Sequence, residues 1–394
     1  MTGSSHKDLS ERRGSNAFST KRNNRHRSLL IHAFSMVVLI VLTAASSPES
    51  LGEARADTET AQGEGAAGKE NTLRTVPFVT LRNRTSSQKP SKIYGDERSS
   101  ARAGYCDVSR TPIKSLKPLA DKVSIFIPED KLRLEAIRER SVEDFWQDME
   151  KSADGRRPVL YVHGFYISFD KGCKRASMFQ DALGLEGRFV LFSWPSDGAM
   201  LNYTLDEADL YWSVAPLEET LTDMVGRFGA GNIDIVAHSL GTRGVFLALV
   251  NMARAGQLEE PLVNQVVLVA PDIDTGIFEQ YLPRIRPLAR NITIYASAND
   301  RPLSLSRKVH GHPRLGESGP HLEGLTGVEI IDLSDIPVRY PSGHVYHLYH
   351  DFAIDDLTQL LIDGKPASKR RLLEQTGENH WRLVPESAEP AETR

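Results

Sequence analysis

Three residue types at three separated positions could carry one reaction: the hydroxyl of Ser239, the carboxylate of Asp300 and the imidazole of His344. A serine hydroxyl is a weak nucleophile until an imidazole takes its proton, and a buried carboxylate fixes the imidazole tautomer and stabilises the imidazolium. Ser239 lies in Ala237-His238-Ser239-Leu240-Gly241, which matches the G-x-S-x-G nucleophile elbow everywhere but the first position. The spacing has a physical cause. A nucleophile on a tight strand-to-helix turn has strained backbone angles, so the residues two before and two after it must be small. Ala237 is the smallest substitute for glycine, and Gly241 keeps the pattern. Alone, the pentapeptide also reads as a loop serine capping a helix, so its surroundings decide.

Those surroundings alternate. Ile233, Ile235 and Val236 are β-branched residues suited to a strand covered on both faces, and Val245, Phe246, Leu247, Leu249 and Val250 recur at helical spacing. Between Arg157 and Leu361, strands at Val159 to Val162, Phe189 to Phe192, Val266 to Ala270, Ile292 to Tyr295 and Val328 to Ile331 take turns with helices. The helices are expected at Lys174 to Leu183, Ala208 to Phe228, Ile277 to Ile285 and Asp351 to Ile362. This is an α/β pattern with a mostly parallel central sheet and helices on both faces. In such sheets ligands bind at the carboxyl ends of strands, where Ser239, Asp300 and His344 each follow a different strand.

Other residues compete for the same roles. Asp272 and Asp274 sit one strand earlier than Asp300 and are alternative acids, and His347 is an alternative base, with His350 further along. His344 is preferred because it lies in a Ser-Gly loop ahead of the final helix. Gly164, in His163-Gly164-Phe165, lets a loop approach a substrate carbonyl, so the backbone N–H groups of Phe165 and Leu240 are the expected oxyanion donors. His163 reads as a structural hydrogen-bonder. Asp197 either touches substrate or caps a helix, and Met200 to Trp212 reads either as a lid or as core packing. His310, His312 and His321 are too loosely spaced for a convincing metal site and are expected in solvent. No metal and no organic cofactor is required.

The chain has 394 residues and a formal net charge of −4, which argues against general affinity for nucleic acid. Residues 1–28 are basic, and Leu29 to Ala45 are almost wholly apolar, as in a signal peptide or a membrane anchor. The positive-inside rule then puts the N-terminus in the cytoplasm and the rest across the membrane. Residues 46–92 read as a flexible linker, 93–365 as the domain with its core at 157–363, and 366–394 as a charged tail, frayed or disordered. Val123 to Ile127 reads as a strand, and Leu132 to Met149 as a helix. The two cysteines, Cys106 and Cys173, permit one disulfide in an oxidising compartment, or two free thiols.

The middle of the chain resembles a bacterial family of α/β-hydrolase-like proteins catalogued as a domain of unknown function. The resemblance rests on Tyr161-Val162-His163-Gly164-Phe165, Ser193-Trp194-Pro195-Ser196-Asp197-Gly198, Ala237-His238-Ser239-Leu240-Gly241, Ala270-Pro271-Asp272-Ile273-Asp274, Tyr295-Ala296-Ser297 with Asp300, and Gly343-His344. It implies the α/β-hydrolase fold and a Ser239, Asp300, His344 triad, in the chain order serine, acid, histidine. It supplies no substrate. The expected activity is hydrolysis of an ester, thioester or amide, with a small-molecule or lipid-like acyl substrate. The expected place is the bacterial inner membrane with the domain in the periplasm, or outside it after cleavage. Two alternatives remain open: a membrane-tethered scaffold with an inactive hydrolase fold, and acyl transfer to an acceptor other than water. The oligomeric state is not readable.

Overall fold

Successive strand residues point to opposite faces, and in the centre of this chain both sets are apolar. A computed structural model describes residues 73–110, 131–199, 202–254, 260–338 and 342–385. The basic N-terminus, the apolar run at 29–45 and the strand expected at Val123 to Ile127 lie outside the described residues. Strands β1 (Arg74–Arg84), β2 (Tyr94–Arg110) and β3 (Leu132–Arg140) come first, then helix α1 (Val142–Ala153). The alternation follows as β4 (Val159–Val162), α2 (Phe169–Ala182), β5 (Phe189–Ser193), α3 (Tyr203–Trp212), α4 (Val214–Phe228), β6 (Asp234–His238) and α5 (Gly241–Met252). Next are β7 (Val263–Val269), α6 (Thr275–Ile285), β8 (Ala289–Ala296), α7 (Arg301–His310), β9 (Glu329–Asp332), α8 (Tyr346–Tyr349) and α9 (Asp351–Leu361), and the described chain ends with β10 (Leu373–Gln375) and β11 (His380–Leu383).

The eleven strands of the described residues form one sheet in the order β10-β11-β9-β8-β7-β6-β4-β5-β1-β2-β3. From β11 to β1 the neighbours run parallel, while β2, β3 and β10 are antiparallel to theirs. Alternation sorts the core into two layers. Leu160, Val162, Val190, Phe192, Ile235 and Ala237 face α1, α4, α5 and α6, and Val159, Tyr161, Phe189, Leu191 and Val236 face α2, α8 and α9. The chain runs from β4 outward to β5, then returns to place β6 on the other side of β4. The chain order thus reverses at β4, the kind of switch point at which open parallel sheets bind ligands.

Four expectations need correction. Residues 74–84, inside the expected linker 46–92, form the buried strand β1, which pairs with β5 through Phe78 and Leu191. Leu132 to Arg140 is a strand against β2, and only from Val142 does the chain become helical, with Ser141 capping α1 by accepting from the Asp144 N–H. The long helix expected at Ala208 to Phe228 is two helices meeting at Ser213. The tail carries β10 and β11, and β11 extends the parallel sheet beside β9. Cys106 on β2 and Cys173 on α2 are joined in a buried disulfide, with Cα atoms 6.3 Å apart. Among the described residues no helix is long and apolar enough to cross a membrane.

Candidate active site

Ser239 follows the last residue of β6, and its φ of +53° puts a non-glycine residue in the left-handed region. Such a conformation costs about 1–3 kcal/mol and persists only where its surroundings fix it. Here the Ser239 N–H donates to the Val269 carbonyl at 3.0 Å, and its own carbonyl accepts from the Thr242 hydroxyl at 2.6 Å. Two glycines let the turn close. A Cβ on Gly241 would collide with the His163 carbonyl, and one on Gly164 would lie 2.9 Å from the Ser239 Cβ and from His238 Nδ1. The ends of β4 and β6 are thus in backbone contact at the nucleophile.

Asp300, after β8, and His344, before α8, meet each other. The Asp300 carboxylate lies 2.7 Å from His344 Nδ1. Burial pushes the Asp300 carboxyl above its ordinary value, opposed by the His344 charge and hydrogen bond. The other Asp300 oxygen accepts from the Leu303 N–H and caps α7. His344 is also held from the nucleophile side. His238 Nε2 lies 3.0 Å from the His344 carbonyl, and because a carbonyl only accepts, that nitrogen carries the proton. The two rings are 4.7 Å apart. Burial, then the neighbouring His347 and His344, depress the His238 pKa well below the usual imidazole range, so this strut is neutral.

The alternative acids are engaged elsewhere. Asp272 accepts from Arg314 at 2.7 Å, from the Tyr203 hydroxyl at 2.6 Å and from the Ser306 hydroxyl at 2.6 Å. Burial alone would raise its pKa, but the charges of Arg314 and Arg243 outweigh burial and hold it below the ordinary value. Asp274 caps α6 through the Ile277 N–H. His347 is fully buried behind His238, its Nε2 3.3 Å from the Tyr161 hydroxyl, and burial holds its pKa far down. Asp197 accepts from the Ala199 N–H at 2.6 Å and from the Asn202 side chain. His310 and His321, expected in solvent, are half-buried, with ring nitrogens at the Ser306 and Arg314 carbonyls.

The loop after β4 carries Phe165 next to Gly164, which is pressed against Ser239, and its polar groups are held by residues that sequence reasoning missed. Arg82, buried in β1, donates to the Ile167 carbonyl at 2.6 Å and the Ser196 carbonyl at 2.7 Å. The Ser196 hydroxyl accepts from the Ile167 N–H at 3.0 Å and donates to Asp206 at 2.5 Å. Asp206, buried on α3, also accepts from the N–H groups of Tyr166 at 3.3 Å and Asp197 at 2.9 Å. Burial raises the Asp206 pKa to about 6 against these bonds. Ser196 belongs to the Ser193 to Gly198 motif, whereas Arg82 is hidden in the expected linker and Asp206 in a stretch whose apolar residues dominate its reading. His163 stacks on Trp194 with centroids 5.1 Å apart, and its carbonyl accepts from the Trp194 indole N–H.

A parallel sheet with a strained serine at its switch point defines an α/β hydrolase. The family described as "Alpha/beta hydrolase of unknown function (DUF900)" matches residues 138–360, and the chain belongs to that family. No significant match was found among curated proteins. Among solved structures the chain is similar to the hyperthermophilic esterase of Pyrobaculum calidifontis, at 12% identity and TM-score 0.34 over 86% of this chain and 93% of that one. It is also similar to a Rhizomucor miehei esterase at 11% identity and TM-score 0.34, over 74% and 84% of the two chains. A hormone-sensitive lipase from a metagenome library matches at 18% identity and TM-score 0.30, over 53% and 79%.

Proposed function

We propose that the protein is a serine hydrolase that cleaves an ester, thioester or amide through an acyl-enzyme. The observations that carry this reading are the 2.7 Å contact between Asp300 and His344 Nδ1 and a serine held at positive φ on a strand-to-helix turn. Asp300 keeps the Nδ1–H tautomer, leaving Nε2 of His344 free of a proton and able to take one from Ser239 Oγ. The oxygen attacks the carbonyl carbon, and the N–H groups of Phe165 and Leu240 hold the developing oxyanion. His344 returns the proton to the leaving group. Water, activated by the same imidazole, then releases the acid and restores the hydroxyl.

A fluorophosphonate, which phosphonylates activated serines whatever their natural substrate, tests this on the full chain. Labelling should be lost in Ser239→Ala and strongly reduced in His344→Ala. Equal labelling of wild type and Ser239→Ala, or none of the folded wild type, would overturn the mechanism. The same reading puts the domain beyond the cytoplasmic membrane, supported by the basic-then-apolar N-terminus and by the Cys106–Cys173 disulfide. Protease added to intact spheroplasts should digest the domain, and full protection would rule this location out.

A further inference from the structure

We propose that Asp206 and Arg82 are positioning residues for the oxyanion donor: from α3 and β1 they clamp the loop that presents the Phe165 N–H to the carbonyl attacked by Ser239. This role rests on the serine hydrolase reading and deepens it. Phe165 is bounded on one side by Gly164, pressed against Ser239, and on the other by Tyr166, whose φ of +64° is again a left-handed non-glycine conformation. A backbone in that state reverts unless its neighbours over-determine it. The clamp supplies the constraint. Asp206 takes the Tyr166 N–H, Ser196 takes the Ile167 N–H, and Arg82 donates to the Ile167 carbonyl, so both residues after the donor are tied.

The clamp is built from distant parts of the chain and spends buried charge. Arg82 also donates to the Ser193 hydroxyl at 2.9 Å and the Gly95 carbonyl at 3.1 Å, joining β1 to the end of β5 and to β2. A buried arginine whose only task was stability would often be replaceable by apolar residues at no loss. Arg82 instead reaches two segments, at Ile167 in the loop after β4 and at Ser196 in the loop after β5. An oxyanion hole works because its dipoles are fixed before the charge appears, and a loose loop would have to reorganise at that moment.

Asp206→Asn is the discriminating variant. It keeps the shape but offers one acceptor oxygen and an NH2 group, where three donors converge on two oxygens. On a short p-nitrophenyl ester we expect kcat to fall about 10²-fold, the loss typical of a displacement of about 1 Å, with KM changed less than about twofold. Amide hydrogen exchange at Tyr166 and Ile167 should speed up while the central strands keep their protection. Unchanged kcat and unchanged exchange at these two amides in the folded variant would overturn the proposal. If Asp206→Asn does not fold, Ser196→Ala, which deletes one oxygen, takes its place: faster exchange at Ile167 supports the clamp and unchanged exchange overturns it. A wild type without Ser239-dependent turnover would sink the hydrolase reading instead, and the exchange result would still decide whether the clamp holds this loop.

Discussion

The Asp300 carboxylate reaches His344 Nδ1 at 2.7 Å across 44 residues of chain, while its other oxygen caps α7 through the Leu303 N–H at 3.0 Å. One side chain thus serves both to orient the imidazole in the proposed mechanism and to cap a helix. The two roles separate by substitution. Asn caps a helix about as well as Asp, but it no longer enforces the imidazole tautomer, so Asp300→Asn should lower kcat about 10⁴-fold with little change in melting temperature. Asp300→Ala should add about 1 kcal/mol of destabilisation from the lost cap. Steady-state kinetics beside thermal melts of the two variants check this, and a melting loss in Asp300→Asn as large as in Asp300→Ala would refute the division.

Cys106 and Cys173 are 67 residues apart in sequence. Closing a loop of that length in the unfolded chain is worth about 4 kcal/mol on a chain-entropy estimate. Replacing both cysteines with Ala should lower stability by up to about that amount. Urea titrations of wild type with and without reductant, beside the double variant, measure it. Coincident curves would mean the bridge contributes nothing.

Arg370, fully buried after α9, donates to Asp356 at 2.7 Å, to Glu329 at 2.8 Å and to the Tyr295 hydroxyl at 3.0 Å. It ties the segment leading to β10 and β11 to β8, β9 and α9. Breaking a buried pair by removing one partner costs about 3–5 kcal/mol. Arg370→Ala should therefore destabilise the domain by about that much, with the remaining folded enzyme active because none of these partners contacts Ser239. A thermal or urea midpoint within error of wild type would show that the tail is not integral to the fold.

His163 is buried, and burial, with the Arg82 charge, lowers its pKa from 6.5 to about 3. The unfolded chain binds this proton at pH values where the folded chain refuses it. Stability from this group is therefore full above pH 6.5 and is lost as pH falls toward 3. His163→Leu should show a stability–pH slope shallower by about 1.4 kcal/mol per pH unit across that window, whatever its stability at higher pH. Parallel slopes for the two proteins would show that His163 is protonated in the folded state.

The sheet's centre was legible because its strands are short β-branched runs between helical spacings, a pattern set locally by burial on two faces. Its edges were not. The β1 residues 74–84 mix Pro77, Arg82 and Arg84 with their apolar neighbours, which blurs alternation inside a polar stretch. In Leu132 to Arg140 the Glu and Arg residues favour helix, and pairing with β2 overrides that propensity. At the tail, β11 becomes a strand because β9 offers it an unpaired edge.

The sequence by itself determined the order Ser239, Asp300, His344, the small residues around the serine and the strand ends that each member follows, because a tight turn and a buried strand each restrict residue type within a few positions. Only the tertiary structure decided which acid faces which imidazole. Asp272 and Asp300 are both aspartates after parallel strands, but Arg314 and Arg243 converge on the first and His344 on the second. It likewise brought Arg82 and Asp206 to the loop beside Phe165. Hydrogen bonds between residues tens of positions apart leave no spacing to read, since they depend on how the strands are ordered in the sheet.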